Sequence, residues 1–122
     1  MDVSMDDMPD MVPTLASIAP FAEGKTVIRN VGHLRFKESD RLHSIATEWR
    51  RIGVRIEERQ DGLVIFPGNV LEGCTVDPHD DHRIAMSLAV IACRVPGMHI
   101  LDKGCVAKSF PAFWSLWERI QE

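Results

Sequence analysis

The sequence predicts an α/β (α+β) fold built from repeated β-α-β-α-β-β units, incomplete at its ends. Three observations point there. Helix-period and strand-period segments alternate along the chain. The helix–strand–helix order occurs twice, at an offset of 71 to 73 residues,. An Asp-Gly turn signal, Gln60-Asp61-Gly62, joins two short apolar runs as a hairpin does,.

Met1 to Asp7 is polar and suggests no element. Met8 to Ala22 reads as a helix, with Met11/Val12, Leu15, Ala16, Ala19 and Ala22 at three-and-four spacing,. Pro9 and Pro13 fit only near its start, which makes Asp10 a cap or first-turn residue, and Gly24 ends it. Thr26 to Asn30 is a strand, and Val31 to Lys37 a loop. The next helix spans Ser39 to Ile52, with Leu42, Ile45, Ala46, Trp49 and Ile52 on one stripe and Gly53 as its stop,.

Val54 to Glu58 alternates apolar and polar residues, and Leu63 to Phe66 is its return strand. Pro67 to Gly73 is a loop, and Cys74 to Val76 a brief strand. Asp81 to Cys93 is apolar nearly all round and should be a buried helix. Met98 to Leu101 is a strand, and Phe110 to Ile120 a last helix with Phe113, Trp114, Trp117 and Ile120 on its core face. All 122 residues read as one domain, with the repeat over about 8–66 and 74–122. On this reading the first copy lacks its opening strand and the second its closing pair.

With 14 basic and 18 acidic residues the formal charge is -4, which speaks against general nucleic-acid or anionic-membrane binding,. The 45% hydrophobic content supports a packed core,. Cys74, Cys93 and Cys105 are odd in number and form no C-x-x-C pair, which fits a reducing cytoplasm,. No apolar run approaches membrane-spanning length, and the first ten residues do not read as a signal peptide.

The chemistry concentrates at helix starts. Lys37-Glu38-Ser39-Asp40-Arg41 packs four ionisable groups into five residues, with a cation where the helix dipole favours acids,. Arg83 repeats this in the first turn of the third helix, and Lys108 stands just before the fourth. Asp10 lies 27 residues before Lys37, and Asp81 lies 27 before Lys108. Helices that point one way would gather Lys37, Arg41, Arg83 and Lys108 into a receptor for phosphate and carboxylate, with Asp10 and Glu38 placed to move protons. The plainer alternative is a set of solvated, salt-bridged helix starts. His79-x-x-His82 has generic metal spacing with no further ligand cluster. Trp49, Trp114 and Trp117 fit core stripes, Cys93 reads as buried, and Cys74 and Cys105 have no histidine near in sequence.

Four blocks together resemble one family: Met8-Pro9-Asp10-Met11-Val12-Pro13-Thr14, Leu34-Arg35-Phe36-Lys37-Glu38-Ser39-Asp40-Arg41, Asp81-His82-Arg83-Ile84-Ala85-Met86 and Ala107-Lys108-Ser109-Phe110-Pro111. They are similar to the C-terminal portion of the 5-enolpyruvylshikimate-3-phosphate (EPSP) synthases, in the family's order and at about its spacing. The resemblance implies the enolpyruvyl transferase fold, an inverse α/β barrel-like arrangement of two domains with helix N-termini facing a cleft. Within it, the closing strands of this domain come from the start of the chain. It also implies transfer of the enolpyruvyl group of phosphoenolpyruvate to the 5-hydroxyl of shikimate 3-phosphate, on the route to chorismate and aromatic amino acids. The family needs no metal or other cofactor, is the target of glyphosate, and is expected to be a cytoplasmic monomer at full length.

By motif, Asp10 corresponds to the acid that binds the 5-hydroxyl and accepts its proton, and Glu38 to the acid that helps protonate the methylene. Lys37 corresponds to a contact of shikimate 3-phosphate. His33 stands where many members carry an asparagine to that phosphate. Arg41, Arg83 and Lys108 correspond to the cations holding phosphoenolpyruvate. The family's N-terminal portion, which carries the rest of the cleft, would be the partner, so this chain alone is expected to be inactive. The alternatives are a non-catalytic anion-binding or scaffold domain and a piece of another enolpyruvyl transferase acting on a UDP-sugar.

Overall fold

Apolar residues at every third or fourth position and two parallel strand pairs determine the arrangement in a computed structural model, which describes residues 1–37 and 39–101. The elements are β1 (Asp2–Ser4), α1 (Val12–Ile18), β2 (Thr26–Arg29), α2 (Arg41–Ile52), β3 (Arg55–Arg59), β4 (Gly62–Phe66), β5 (Thr75–Val76), α3 (His82–Ala92) and β6 (His99–Ile100). Short 3-10 turns cover Pro9–Met11, Ala19–Phe21 and Gly32–Phe36. The helix expected over Phe110 to Ile120, with Trp114 and Trp117, lies outside the described residues, as does Cys105.

One sheet has the order β1-β2-β4-β3, with β1 parallel to β2 and β4 antiparallel to both of its neighbours. A second, two-stranded sheet pairs β5 with β6 in parallel. In the first sheet Val3 stands opposite Ile28, and in the second Val76 stands opposite Ile100. Thus β5-α3-β6 has the order and pairing sense of β1-α1-β2. The strand β1 corrects the expectation that residues 1–7 hold no element and that the first copy lacks its opening strand. Three residues, with Val3 between the polar Asp2 and Ser4, are too short to show a period, and Val3 finds its place only through β2.

The hairpin forms as expected, with Arg59 opposite Gly62. Glycine is required at 62 by close approach: a Cβ there would lie 1.9 Å from the Ile28 carbonyl oxygen on β2. Gly53 ends α2 in the left-handed region at φ 109°,. The single helix expected over Met8 to Ala22 is instead a 3-10 turn, a seven-residue α-helix and a second 3-10 turn. The cause is Pro20, which has no N–H to donate to the Ala16 carbonyl. That oxygen accepts the Trp49 indole N–H at 2.8 Å, so the break in one helix becomes a buried tie to the next.

The core gathers Val12, Ile28, Leu34, Ile45, Trp49, Leu63, Ile65, Ile84 and Leu88 between the helices and the sheets. Among the described residues every buried polar side-chain atom has a partner, as buried polar groups must if their desolvation is to be offset. Helix α3 is buried along most of its length, but Val90 is exposed, and Cys93 just beyond it is exposed as well, against expectation. Cys74 is half-buried and donates to the Arg51 carbonyl at 3.3 Å. Burial pushes its thiol up, away from the thiolate a nucleophile needs,. No helix among the described residues is long and apolar enough to cross a membrane.

Candidate functional site: converging helix starts

Helices α1, α2 and α3 begin close to one another. Arg41 is the first residue of α2, capped by Asp40, whose side chain accepts the His43 N–H at 3.1 Å. Asp81 caps α3 in the same way, accepting the Arg83 N–H at 3.0 Å. Asp10 sits in the 3-10 turn that leads into α1.

Arg41 is 1% exposed, an unusual place for a cation that also opposes the helix dipole,. Its guanidinium is held on two sides. Nε donates to Asp81 Oδ2 at 2.8 Å and Nη2 to Asp81 Oδ1 at 3.4 Å, a two-pronged grip on a carboxylate that is itself fully buried,. Nη1 donates to Asp10 Oδ1 at 3.3 Å. Ser39 adds a hydroxyl bond to Asp81 Oδ2 at 2.9 Å. Burial by itself would raise the Asp81 pKa. The Arg41 hydrogen bond and charge, the Ser39 hydroxyl and the Arg83 N–H outweigh it and hold the carboxyl below the usual aspartate range,.

Arg83 reaches the same acid from α3. Its Nη2 is 3.7 Å from Asp10 Oδ2, and its Nη1 is 3.5 Å from the Asp10 carbonyl oxygen. Asp10 is half-exposed and stands over a groove of about 160 Å³ between α1 and α3. Thr14 and Ser17 line one wall of that groove; Arg83, Ser87 and Val90 line the other. Asp10, Arg41, Asp81 and Arg83, from positions 10 to 83 of the chain, therefore form one contiguous cluster of alternating charge.

The other site residues read from the sequence fall differently. Lys37 and His33 are exposed, and neither makes a hydrogen bond or ion pair with this cluster among the described residues. The expected loop from Val31 to Lys37 contains a 3-10 turn, which carries His33. Arg35 in that turn pins the segment to the hairpin. It donates to Asp40 and Glu58 at 2.9 Å each, and to the carbonyls of Arg59 and Gln60 at 2.7 and 3.0 Å. Burial raises the Glu58 pKa, but the Arg35 and His43 contacts bring it net below the usual carboxylate range. Glu38 and Lys108 lie outside the described residues.

Sequence reasoning assigned Asp81 no role beyond opening a helix. It also overlooked Glu48, which is completely buried. The signal was present: Glu48 stands three residues after Ile45 and four before Ile52, on the apolar stripe of α2,.

Where three helix starts meet, Arg41 and Arg83 are gripped by Asp10 and Asp81 in one compact knot of opposite charges. The chain belongs to the EPSP synthase (3-phosphoshikimate 1-carboxyvinyltransferase) family, whose sequence model matches residues 1–117. It is 51% identical over 122 residues to the 3-phosphoshikimate 1-carboxyvinyltransferase of Syntrophobacter fumaroxidans, covering 99% of this chain and 29% of that protein. It is 42% identical to the chloroplastic protein of that name from Arabidopsis thaliana, over 98% of this chain and 23% of the other. A solved EPSP synthase structure from Acinetobacter baumannii superposes with a TM-score of 0.83 at 34% identity, over 91% of this chain and 27% of that one. The chain thus spans less than a third of the length of these relatives, and its fold is a part of the enolpyruvyl transferase fold.

Proposed function

We propose that this chain supplies one wall of the active-site cleft of a 3-phosphoshikimate 1-carboxyvinyltransferase, completed by the N-terminal portion of the same enzyme. It acts in the cytoplasm, within aromatic amino acid biosynthesis, and the full-length enzyme is a monomer. The reaction moves the enolpyruvyl group of phosphoenolpyruvate to the 5-hydroxyl of shikimate 3-phosphate and releases phosphate. The observation that carries this reading is the convergence of Arg41 and Arg83 on Asp10. The chain reads as one domain of two related units, the first from β1 to about residue 66 and the second over about 74–122.

In this reading Arg41, Arg83 and Lys108 take the carboxylate and phosphate of phosphoenolpyruvate, while Lys37 and His33 face the phosphate of shikimate 3-phosphate. The incoming anion competes with Asp10 for the arginines, and Asp10 turns to the 5-hydroxyl. Asp10 accepts the hydroxyl proton as the oxygen attacks C2 of the enol, and Glu38 delivers a proton to C3. The resulting tetrahedral adduct keeps both anionic groups, and cations already held in place stabilise it without reorganisation. Loss of a C3 proton and of phosphate from C2 then restores the C2=C3 double bond, with C2 now joined to the 5-oxygen as an enol ether. No metal or cofactor is invoked.

The test is complementation. The purified 122-residue chain is expected to release no phosphate from the two substrates. Mixed with the N-terminal portion of a relative, it should do so, with dependence on both substrates. Saturable turnover by the chain alone, or none in any mixture of folded parts, would overturn the reading.

A further inference from the structure

Helix α2 buries two charged residues seven positions apart, Arg41 and Glu48, on the same face two turns from each other,. Each is met by a residue of the short connection between β5 and α3. Arg41 meets Asp81, and Glu48 meets His79, whose Nε2 lies 2.8 Å from Glu48 Oε2. With a proton on Nε2, His79 donates to this carboxylate oxygen,. Glu48 Oε1 also accepts the Asp77 N–H at 2.9 Å, and Arg51 Nε lies 3.3 Å from it. Within the connection the His79 N–H donates to Asp77 Oδ1 at 2.8 Å, and the Asp81 N–H to the Pro78 carbonyl at 3.1 Å.

His79 and Asp80 both adopt left-handed backbone, at φ 56° and 54°. Two consecutive non-glycine residues stay in that region only when surrounding contacts fix them. This pair of turns sets where Asp81 falls. Asp81 then fixes both the Arg41 guanidinium and the first turn of the helix that carries Arg83.

We infer that Glu48 and His79 form a positioning clamp for the anion site: by strapping the 77–81 connection to α2 they hold Asp81 against Arg41 and so aim both arginines. This rests on the proposed anion-handling role for the arginines, while the clamp itself is read directly at Arg41. His79 touches no reacting group; it acts through Asp81.

The test uses the full chain and two readouts. One is solvent exchange of the Arg41 Nε–H, followed by NMR, which reports the Arg41–Asp81 bond. The other is affinity for phosphoenolpyruvate in a titration. His79→Ala is expected to speed the exchange about tenfold and weaken the affinity to a similar degree, the scale of one lost charge-assisted hydrogen bond. His79→Gln, which returns an N–H donor at about the same reach, should restore both. Glu48→Gln keeps the volume and should shift the exchange in the same direction as His79→Ala.

A His79→Ala protein that melts earlier but leaves Arg41 exchange unchanged would overturn the clamp. So would a His79→Gln protein that behaves like His79→Ala, or unchanged exchange in Glu48→Gln. If the unaltered chain does not bind phosphoenolpyruvate while His79→Ala still frees Arg41, the clamp stands and the anion-site reading fails.

Discussion

Replacing Asp81 by alanine is expected to cost about 3–5 kcal/mol of folding stability, the range for breaking one partner out of a buried ion pair. The size follows from what is left behind. Arg41 remains 1% exposed, and its Nε and Nη2 lose the bonds they donate to Asp81. The Ser39 hydroxyl and the Arg83 N–H lose theirs too, and α3 loses its cap, itself worth about 1 kcal/mol. Urea unfolding at neutral pH measures the loss directly. Removing both charges together, Arg41→Met with Asp81→Leu, should cost less than Asp81→Ala alone, because no buried guanidinium is then deprived of its buried counter-charge.

The same pair fixes a pH dependence. The Asp81 pKa is depressed in the folded chain, so its contribution is complete above the unfolded aspartate value of about 3.9 and is lost as pH falls toward the lower folded value. Glu58, also depressed, adds to the loss in the same acidic window. The stability gap between the native chain and Asp81→Ala should therefore narrow only below about pH 4.

Arg83→Ala is expected to do the opposite: little to stability, much to ligand binding. Its side chain is 41% exposed and its contacts with Asp10 are long, at 3.5 and 3.7 Å. Exposed pairs of this kind contribute about 1 kcal/mol or less. Its charge-assisted bonds to a bound phosphate or carboxylate would be worth about 1.5–3 kcal/mol each, so affinity for phosphoenolpyruvate should fall about tenfold to a hundredfold. Calorimetric titration beside a thermal melt separates the two effects. A variant that melts much earlier yet binds normally would place Arg83 in the framework rather than in the site.

Much of this was legible in the chain itself, for reasons that differ by element. The α2 and α3 helices and the β3–β4 hairpin carry enough periodic residues for burial to dictate their type. Arg41 and Arg83 stood out because a cation in a first helical turn needs an anion nearby. What could not be read depends on distant partners. The three residues of β1 are a strand only because β2 offers them an edge. Pro20 breaks α1, but that its consequence is a bond from Trp49, 33 residues on, is a tertiary fact. Asp81 and Glu48 look like ordinary polar residues at a helix start and in a helix, and only the packing of α2 against the β5–α3 connection reveals them as buried counter-charges.

A crystal structure of the chain soaked with phosphoenolpyruvate tests the convergent anion site most directly. Arg41 is 1% exposed, so an anion reaches it only where a covering side chain yields, and Asp10, 53% exposed, is placed to do so. The expected result is an anionic group within hydrogen-bond distance of Arg83 and of Arg41 Nη1, with the Asp10 carboxylate moved off at least one of them. An anion bound away from both arginines, with Asp10 still seated between them, would contradict it.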